Sequence, residues 1–415
     1  MPATLQVLDE PLGSYLRPGR NDHTVIQQLL SESQLSATGL IIDPSLIGRQ
    51  YEMAHEAGRQ GIETVLDPRS VDLSTQGGFQ LSGASELPWA PSTPHNPDDL
   101  AGPNGLLLAE DLAEFAVENG VSAVLAPTHI ITDSNDAWLH VDAELVGHLR
   151  RALDARGRKN SPVYYPLVLR SQILYDEDER KKLISHLGSL PIDAVWLRVH
   201  PFGTTASGPL TLRKYIQACR DFHQLSIPLV AERTGTVGIP LLAFGAVGGI
   251  ESGVTLGERF SLDRYTRISE GKGFSPPPRV YIADLGTFLS RDQARSLYAK
   301  RGMRAAHGCQ DQRCCPRGWE DSIADPRRHF VVQRNSEVSR LSRTPPELRP
   351  TIYLNEFLGP ASVAAVRAAE AEPALKPVWK RLDSWRSTLG AMLTSGPPQT
   401  YSAVPSGHRL NGPSA

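Results

Sequence analysis

Residues 163–203 read VYYPLVLRSQILYDEDERKKLISHLGSLPIDAVWLRVHPFG. Two apolar runs, at 163–169 and 193–203, enclose the charged, helix-like segment 176–190. Neither run alternates apolar with polar residues, which is typical of strands that are buried on both faces of a sheet. The stretch therefore predicts a strand, a helix and a second strand in an α/β arrangement.

The same alternation recurs along the chain. The other apolar runs are GLIIDPS (39–45), IETVLDP (62–68), VSAVLAPTH (121–129), IPLVAERTG (227–235), AVGGIESG (246–253) and RVYIADLG (279–286). Eight strand candidates with helical segments between them predict a (β/α)8 barrel of the TIM type. An open doubly wound sheet is the alternative, which we favour less because the count is eight and the loops after the strands carry reactive side chains.

The chain is predicted to divide into five parts. These are an N-terminal extension (1–38), the barrel (39–305, with an insertion at 69–105), a basic zinc-binding segment (306–350), a C-terminal helical appendix (351–395) and a mobile tail (396–415). The insertion is too long and too rich in Pro and Gly for a simple connection. We expect either a lid over the carboxyl-terminal face of the barrel or a disordered loop.

The composition excludes several classes of protein. The chain has 415 residues, 40% hydrophobic and 21% charged, with a formal charge of −2, as in ordinary soluble domains. No apolar run approaches the length of a membrane span, and the N-terminus lacks the pattern of a signal peptide. Four cysteines, three of them clustered, do not suggest a disulfide framework. We expect a cytoplasmic, reduced protein without membrane contact.

Three cysteines and a histidine lie close together in HGCQDQRCCPRGWEDSIADPRRHF (307–330). The predicted metal ligands are Cys309, Cys314, Cys315 and His329. Thiolates and imidazole are the ligands of structural zinc sites, and four of them would leave no position for water. His307 competes as the fourth ligand, and the alternative without metal is a pair of buried thiols with one exposed cysteine.

The surroundings of the cysteines are basic. Residues 279–349 contain fourteen Arg or Lys and eight Asp or Glu, whereas the rest of the chain has a net charge of about −8. Such a segment is compatible with contact to phosphate or nucleic acid. Solvated surface arginines are the alternative.

The order of motifs in 241–330 resembles the tRNA-guanine transglycosylase superfamily. Gly248, Gly249, Ile250 and Gly253 resemble its glycine loop, Pro278 to Ile282 with Gly286-Thr287 resemble its next strand, and the cysteine cluster resembles its zinc motif. STQGGFQ (74–80) is a partial echo of its base-binding Asp-Ser-Gly-Gly-Phe-Gln. The resemblance covers about a fifth of the chain.

This resemblance implies a zinc-bearing barrel that exchanges a base in tRNA or DNA. The sequence departs from the family in its zinc spacing. It also has no aspartate in MRAAHGC (303–309), where the family carries its nucleophile on the strand before the cysteines. The catalytic carboxylates would then come from elsewhere, as in a divergent branch such as the DNA-modifying 7-deazaguanine transglycosylases.

Active sites of (β/α)8 barrels lie at the carboxyl ends of the strands. The candidates there are Asp43, Asp67, His129, Arg198, His200, Glu232, Glu251 and Asp284. Base exchange requires a carboxylate for the cationic sugar carbon and a group that manages the proton of the departing base. Asp67 and Asp284 are the predicted catalytic pair, facing each other across the barrel mouth. Turn capping at Asp67 and an N-cap or ion pair at Asp284 are the alternatives.

Several residues are predicted to bind substrate. Gly248, Gly249, Ile250 and Glu251 lie in a glycine-rich segment that could cradle a phosphate or a flat heterocycle. Arg198 and His200 alternate to the same side of a strand, and an inward arginine needs acidic partners such as Glu232 or Glu251.

Three hypotheses on function follow. The first is a zinc-bearing transglycosylase acting on tRNA or DNA. The second is a phosphate- or FMN-binding barrel enzyme that acts on a small molecule. The third is a non-catalytic, zinc-stapled protein that binds nucleic acid or takes part in an assembly. The predicted cofactor is zinc in the first and third hypotheses, and the first is the one we favour.

Overall fold

The computed structural model of the chain describes residues 12–81, 83–204, 207–256, 259–266 and 277–394. Its centre is a closed barrel of eight parallel strands. The barrel strands are β1 (Gly13–Arg17), β2 (Gly39–Ile42), β3 (Glu63–Leu66), β4 (Ala123–Leu125), β6 (Val163–Arg170), β7 (Ala194–His200), β8 (Leu229–Glu232) and β9 (Gly249–Gly253). A short strand, β5 (Ile130–Ile131), adds to the carboxyl end of β6. The predicted (β/α)8 barrel is confirmed.

Two pairings close the barrel. β1 pairs with β9 on one side and with β2 on the other, and β4 pairs with β6. The helices of the barrel region are α1 (His23–Ser31), α2 (Ile47–Arg59), α3 (Ser70–Leu73), α4 (Gln76–Phe79), α5 (Pro97–Leu100), α6 (Pro103–Glu118), α7 (Ala137–Ala155), α8 (Ser171–Tyr175), α9 (Glu177–Leu187), α10 (Pro209–Phe222), α11 (Gly238–Ala243) and α12 (Asp263–Thr266).

The sequence assigned seven of the eight barrel strands correctly. The first barrel strand is β1, which lies inside the segment predicted as an N-terminal extension. The run 279–286, predicted as the eighth strand, instead forms β10 (Val280–Ile282), which pairs antiparallel with β11 (Thr287–Leu289) in a separate two-stranded ribbon. The barrel strands therefore begin at residue 13 and end at residue 253, and the prediction of a barrel over 39–305 was wrong at both ends.

The barrel interior is filled in layers. Alternate residues of each strand point inward, and the middle layer is apolar and fully buried. Its members are Tyr15, Ile41, Val65, Ala123, Leu125, Tyr164, Ala194, Trp196 and Val230. Gly39 makes room for this layer, because a Cβ atom there would lie 2.6 Å from the Tyr15 ring. The next inward residues along several strands are charged, and they form the mouth of the barrel.

The insertion 69–105 is helical in part and follows β3 on the carboxyl-terminal side. It contains α3, α4 and α5, and α4 packs against α12. The Trp89 indole N–H donates a hydrogen bond to the Pro68 carbonyl oxygen, 3.0 Å away, and Trp89 itself is buried. In the described residues the insertion contains helices and is attached to the barrel rim, and its role as a lid stays a prediction.

The segment after the barrel packs on its outer surface. It comprises the ribbon and the helices α13 (Arg291–Ala299), α14 (Met303–His307), α15 (Trp319–Ala324) and α16 (Pro326–Ser342). Cys314, Cys315 and Phe330 share an apolar cluster with the inner face of α1. Arg327 pairs with Asp22 at 2.6 Å, and Arg328 pairs with Glu32 at 2.5 Å. Part of the basic surplus of this segment therefore holds it against acidic residues near the start of the barrel.

The C-terminal region is helical, as expected. It consists of α17 (Arg349–Ile352), a π-helical turn (Tyr353–Leu358), α18 (Gly359–Ala371) and α19 (Lys376–Thr394). α18 and α19 pack on each other, and α19 also contacts α10 of the barrel. The predicted tail, 396–415, lies outside the described residues. No described helix combines the length and the apolar character that crossing a bilayer demands.

Candidate functional site

A cluster of charged side chains occupies the carboxyl-terminal mouth of the barrel, with Arg17 of β1 at its centre. The Arg17 guanidinium donates to Asp67 after β3, to Glu232 of β8 at 2.9 Å and to Glu251 of β9 at 2.9 Å. The three carboxylates have almost no solvent exposure, and the Arg17 side chain is 14% exposed. One cation from a strand that the sequence analysis missed therefore joins three acids from three other strands.

A second guanidinium enters the cluster from β7. Arg198 pairs with Glu232 at 2.5 Å and lies over the ring of Phe260, with the guanidinium carbon 5.7 Å from the ring centroid. A pairing of Arg198 with Glu232 or Glu251 was predicted from the sequence. Among the described residues, Arg198 Nε and Glu232 Oε2 are buried without a hydrogen-bond partner. Buried polar atoms are normally paired, so these two atoms offer positions for a bound ligand.

The cluster separates the pKa values of two of its carboxyl groups. Burial acts to raise the pKa of Asp67, but the guanidinium groups of Arg17 and Arg198 outweigh burial and hold that pKa well below its usual range. Burial, together with the negative charge of Glu232, raises the pKa of Glu251 despite its contact with Arg17. An ionised carboxylate and a carboxyl group that retains its proton more readily therefore lie on opposite sides of one arginine. Such a separation is typical of acid and base assignments in enzymes.

A further pair lies beside Asp67, at the start of the insertion. The Arg69 backbone N–H donates to Asp67 Oδ1 at 2.9 Å, and the Arg69 Nε–H donates to Asp72 Oδ2 at 2.7 Å. Asp72 is buried, and burial raises its pKa. Gly78, in the GGFQ echo, packs directly on it, since a Cβ atom there would lie 2.7 Å from Asp72 Cα. The carboxylate beside this motif is thus Asp72, which precedes STQGGFQ in the sequence.

The predicted catalytic pair is not brought together as expected. Asp284 follows β10, which is not a barrel strand, so its placement at the barrel mouth was wrong. Its carboxylate instead accepts a hydrogen bond from His307 Nδ1 at 2.6 Å. Asp67, in contrast, lies in the mouth as predicted. The reason for the error is local, because 279–286 has the composition of a buried strand but pairs in the ribbon.

The predicted substrate-binding residues fall into two groups. Arg198, Glu232 and Glu251 belong to the mouth cluster. Gly248 and Gly249 lie at the opposite, amino-terminal end of β9, where Gly248 N donates to Leu229 O and Gly248 O accepts from Gly13 N. The side chain of Ile250 packs outward in the main core. Gly248 and Gly249 are therefore part of the strand ladder and do not lie in the mouth.

His200 lies at the end of β7 but outside the charged cluster. In the described residues its only hydrogen-bond contact is between Nδ1 and the Phe260 carbonyl oxygen, at 3.4 Å. His129 was also a candidate, and in the fold it has a carboxylate partner. The His129 Nδ1–H donates to Asp142 Oδ1 of α7 at 2.5 Å. The His129 ring stacks on the Trp138 ring, with the ring centroids 3.6 Å apart. The side chains of His129 and Asp142 are both fully buried. No pattern in the sequence indicates this pairing, because Asp142 lies thirteen residues away on a helix.

The four predicted metal ligands converge. The ligand atoms of Cys309, Cys314, Cys315 and His329 all lie within 4.8 Å of one another. The Cys309 and Cys314 Sγ atoms are 3.7 Å apart, and His329 Nδ1 lies 3.5 Å from the Sγ atoms of both Cys314 and Cys315. In a tetrahedral zinc site, with Zn–S of about 2.3 Å and Zn–N of about 2.05 Å, two sulfur ligands would be about 3.8 Å apart and a sulfur and a nitrogen ligand about 3.6 Å apart. The group can therefore hold a metal ion of this size.

The second ring nitrogen of His329 supports the same conclusion. His329 Nε2–H donates to the Tyr281 carbonyl oxygen at 2.8 Å, which leaves the Nδ1 lone pair directed at the thiols. Metal-bound histidines commonly have such a partner on the other nitrogen. Hydrogen bonds from Cys314 and Cys315 lower the pKa of Cys309, which favours one thiolate in the group. His307 is bonded to Asp284 instead, so His329 and not His307 completes the set.

Comparisons with known proteins assign the chain to no family. No protein-family model and no curated protein matches the chain. Solved structures with a similar fold include 3-dehydroquinate dehydratase from Enterococcus faecalis (8% identity, TM-score 0.34, covering 59% of this chain and 90% of that one). Another is the carboxyl transferase domain of Rhizobium etli pyruvate carboxylase (9% identity, TM-score 0.37, covering 90% of this chain and 55% of that one). A third is the xylanase XylE of Penicillium canescens (10% identity, TM-score 0.39, covering 57% of this chain and 81% of that one). Values this low carry no information about activity, and none of these three is a transglycosylase.

Proposed function

We propose that the chain is a transglycosylase-type enzyme that exchanges a base at a glycosidic bond of a nucleic acid, with the reaction at the barrel mouth. The observation that carries this proposal is the pair of carboxyl groups on either side of Arg17. Asp67 is held ionised, and Glu251 is shifted toward the protonated form. Glycosyl transfer needs a carboxylate for the sugar carbon and an acid for the leaving group.

In the proposed reaction the Asp67 carboxylate attacks C1′ of the target nucleotide. The C1′–O bond forms as the C1′–N bond breaks, and the departing base takes its proton from Glu251. An incoming base then attacks C1′, the bond to Asp67 breaks, and the proton of the incoming base returns to Glu251. Arg17 and Arg198 position the carboxylates and balance their charge. The exchange has no net oxidation and uses no added co-reactant besides the incoming base.

The metal group has a structural part in this proposal. Zinc bound by the Cys3His group would fix the segment 306–330 against α1 and would supply no chemistry at the mouth. The resemblance to the transglycosylase superfamily supports the choice of nucleic acid as substrate. In the rival hypothesis of a phosphate-binding barrel, Gly248 and Gly249 were to form the cradle, and they lie at the amino-terminal end of β9, away from the mouth.

The test is incorporation of radiolabelled guanine into nucleic acid. Purified protein is incubated with the labelled base and with either total tRNA or duplex DNA, and label is counted in the precipitated nucleic acid. We expect incorporation by the wild-type protein and at least a hundredfold loss in Asp67→Asn and in Glu251→Gln, as is typical when an acid–base or nucleophilic group is removed. Asp292→Asn is the matched control, because that carboxylate is 93% exposed and far from the mouth in the fold.

Folding is checked separately for each variant by circular dichroism and metal content. A folded Asp67→Asn protein with undiminished incorporation would overturn the assignment of the mouth. The absence of incorporation into either nucleic acid, with 7-deazaguanine tested as a second base, would overturn the proposed function. Binding without exchange would instead support the non-catalytic hypothesis.

A further inference from the structure

A cavity with a partly apolar wall lies outside the barrel, between α14 and the C-terminal helices. Its volume is about 540 Å³, and its lining includes His307, Asn355, Val363, Arg367 and Arg386. None of these residues belongs to the mouth or ligates the metal in the geometry described above. The cavity is built partly by the π-helical turn at 353–358, and such turns are frequent at functional sites.

The histidine of this cavity is fixed by a carboxylate. His307 Nδ1–H donates to Asp284 Oδ2 at 2.6 Å, and the His307 side chain is only 1% exposed. In the neutral ring, this bond leaves the lone pair on Nε2. Among the described residues no group donates to Nε2, although that atom is buried. A buried acceptor at a cavity wall needs a donor, and a ligand hydroxyl group can supply one.

The other polar groups of the cavity select an anion. Arg367 on α18 and Arg386 on α19 are both exposed, and neither forms an ion pair within the part of the chain that the structure describes. Guanidinium groups bind phosphate through paired N–H donors. The apolar part of the wall, including Val363 at 52% exposure, can pack against a sugar.

We propose that this cavity binds a ribose-phosphate unit of RNA. The phosphate lies between Arg367 and Arg386, and the 2′-hydroxyl group donates to His307 Nε2. The 2′-hydroxyl is the group by which a protein distinguishes RNA from DNA at one site. This inference rests on the proposed function, and it selects RNA over DNA as the substrate class.

The test compares three strands of one sequence by fluorescence anisotropy: a labelled 20-nucleotide RNA, its 2′-O-methyl form and the corresponding DNA. Methylation removes the donor and leaves the phosphates. We expect the wild-type protein to bind RNA about three- to tenfold more tightly than either other strand, as one lost hydrogen bond implies. Arg367→Ala and Arg386→Ala should each weaken RNA binding and reduce the slope of log affinity against log salt by about 0.7.

Two variants complete the design. His307→Phe should bind the RNA and the 2′-O-methyl strand equally, and its metal content shows whether the neighbouring Cys309 is undisturbed. Arg151→Ala, an exposed arginine on α7, should change nothing. Equal affinity of the wild-type protein for all three strands, or unchanged binding in both cavity arginine variants, would overturn the inference. Exchange into DNA with equal strand affinities would refute this inference alone, whereas selective RNA binding without exchange into tRNA or DNA would refute only the proposed function.

Discussion

Glu63 places a titratable carboxyl group at the amino-terminal end of the barrel interior. It is the first residue of β3, and its Oε1 accepts a hydrogen bond from the Tyr164 hydroxyl at 2.7 Å. Burial raises the pKa of Glu63 to about 7, with a smaller contribution from Asp193, while the hydrogen bonds from Tyr164 and Tyr15 act in the opposite direction. We predict that Glu63→Gln changes how the stability of the protein depends on pH.

The sign and size of the effect follow from the two pKa values. The folded protein holds the proton more tightly than the unfolded chain, whose glutamates titrate near 4.5. The stabilising contribution of Glu63 is therefore complete below pH 4.5 and is lost as the pH rises to about 7. A difference of about 2.5 pKa units corresponds to about 3 kcal/mol. This value is an upper limit, because Glu63 also lines an open cavity of about 1,050 Å³ at this end of the barrel, where solvent screens its charge.

The assay is urea unfolding of the wild-type protein and Glu63→Gln between pH 4.5 and 8.5. The glutamine remains neutral and can still accept from Tyr164, so the variant should gain stability relative to the wild type as the pH rises, by up to about 3 kcal/mol, and level off above pH 7. Glu118→Gln, at an exposed position of α6, should show no such trend. A stability difference between Glu63→Gln and the wild type that stays constant across this range would contradict a raised pKa of Glu63 in the folded protein.

Two further predictions concern the metal group and the mouth. The wild-type protein should contain about one zinc per chain by elemental analysis, and EDTA should lower its Tm. The Cys314→Ser/Cys315→Ser variant should contain no zinc, and its Tm should not change with EDTA. Cys219→Ser, at a buried cysteine outside the group, should keep the metal. Arg17→Met should lower the free energy of unfolding by about 3–5 kcal/mol, because it leaves buried carboxylates without their cation. In the same urea titration Arg295→Met, at an exposed ion pair, should lower the free energy of unfolding by about 1 kcal/mol or less. Equal losses in the two arginine variants would contradict the role given to Arg17.

The barrel was predictable because most of its strands lie in apolar runs without polar alternation. β1 was not, since Gly13 to Arg17 is a five-residue run that begins with glycine, ends in an arginine and is followed by Pro18. The alternation of Tyr15 and Arg17 in GSYLRPG is the one signal that could have identified it. The first strand of the ribbon was mistaken for a barrel strand because Val280–Ile282 is as apolar and as buried as a barrel strand. These residues are buried outside the barrel sheet.

The candidate sites were predictable to different degrees. The metal ligands come from one continuous segment, so their proximity could be inferred from spacing alone. The mouth is assembled from β1, β3, β7, β8 and β9, and only the closed barrel brings these strands to one rim. Asp67, Arg198, Glu232 and Glu251 could be proposed from strand ends, but Arg17 could not once β1 was missed. The His307–Asp284 contact depends on tertiary packing that no local pattern records.

The most direct test of a catalytic mouth is the detection of the sugar–enzyme intermediate. The protein is quenched in acid during turnover with RNA and labelled guanine, digested, and searched by mass spectrometry for a peptide that carries a nucleotide fragment. We predict an ester adduct on the peptide that contains Asp67, absent from the Asp67→Asn protein. An adduct on a peptide without Asp67, or turnover with no adduct at any quench time, would contradict the mechanism.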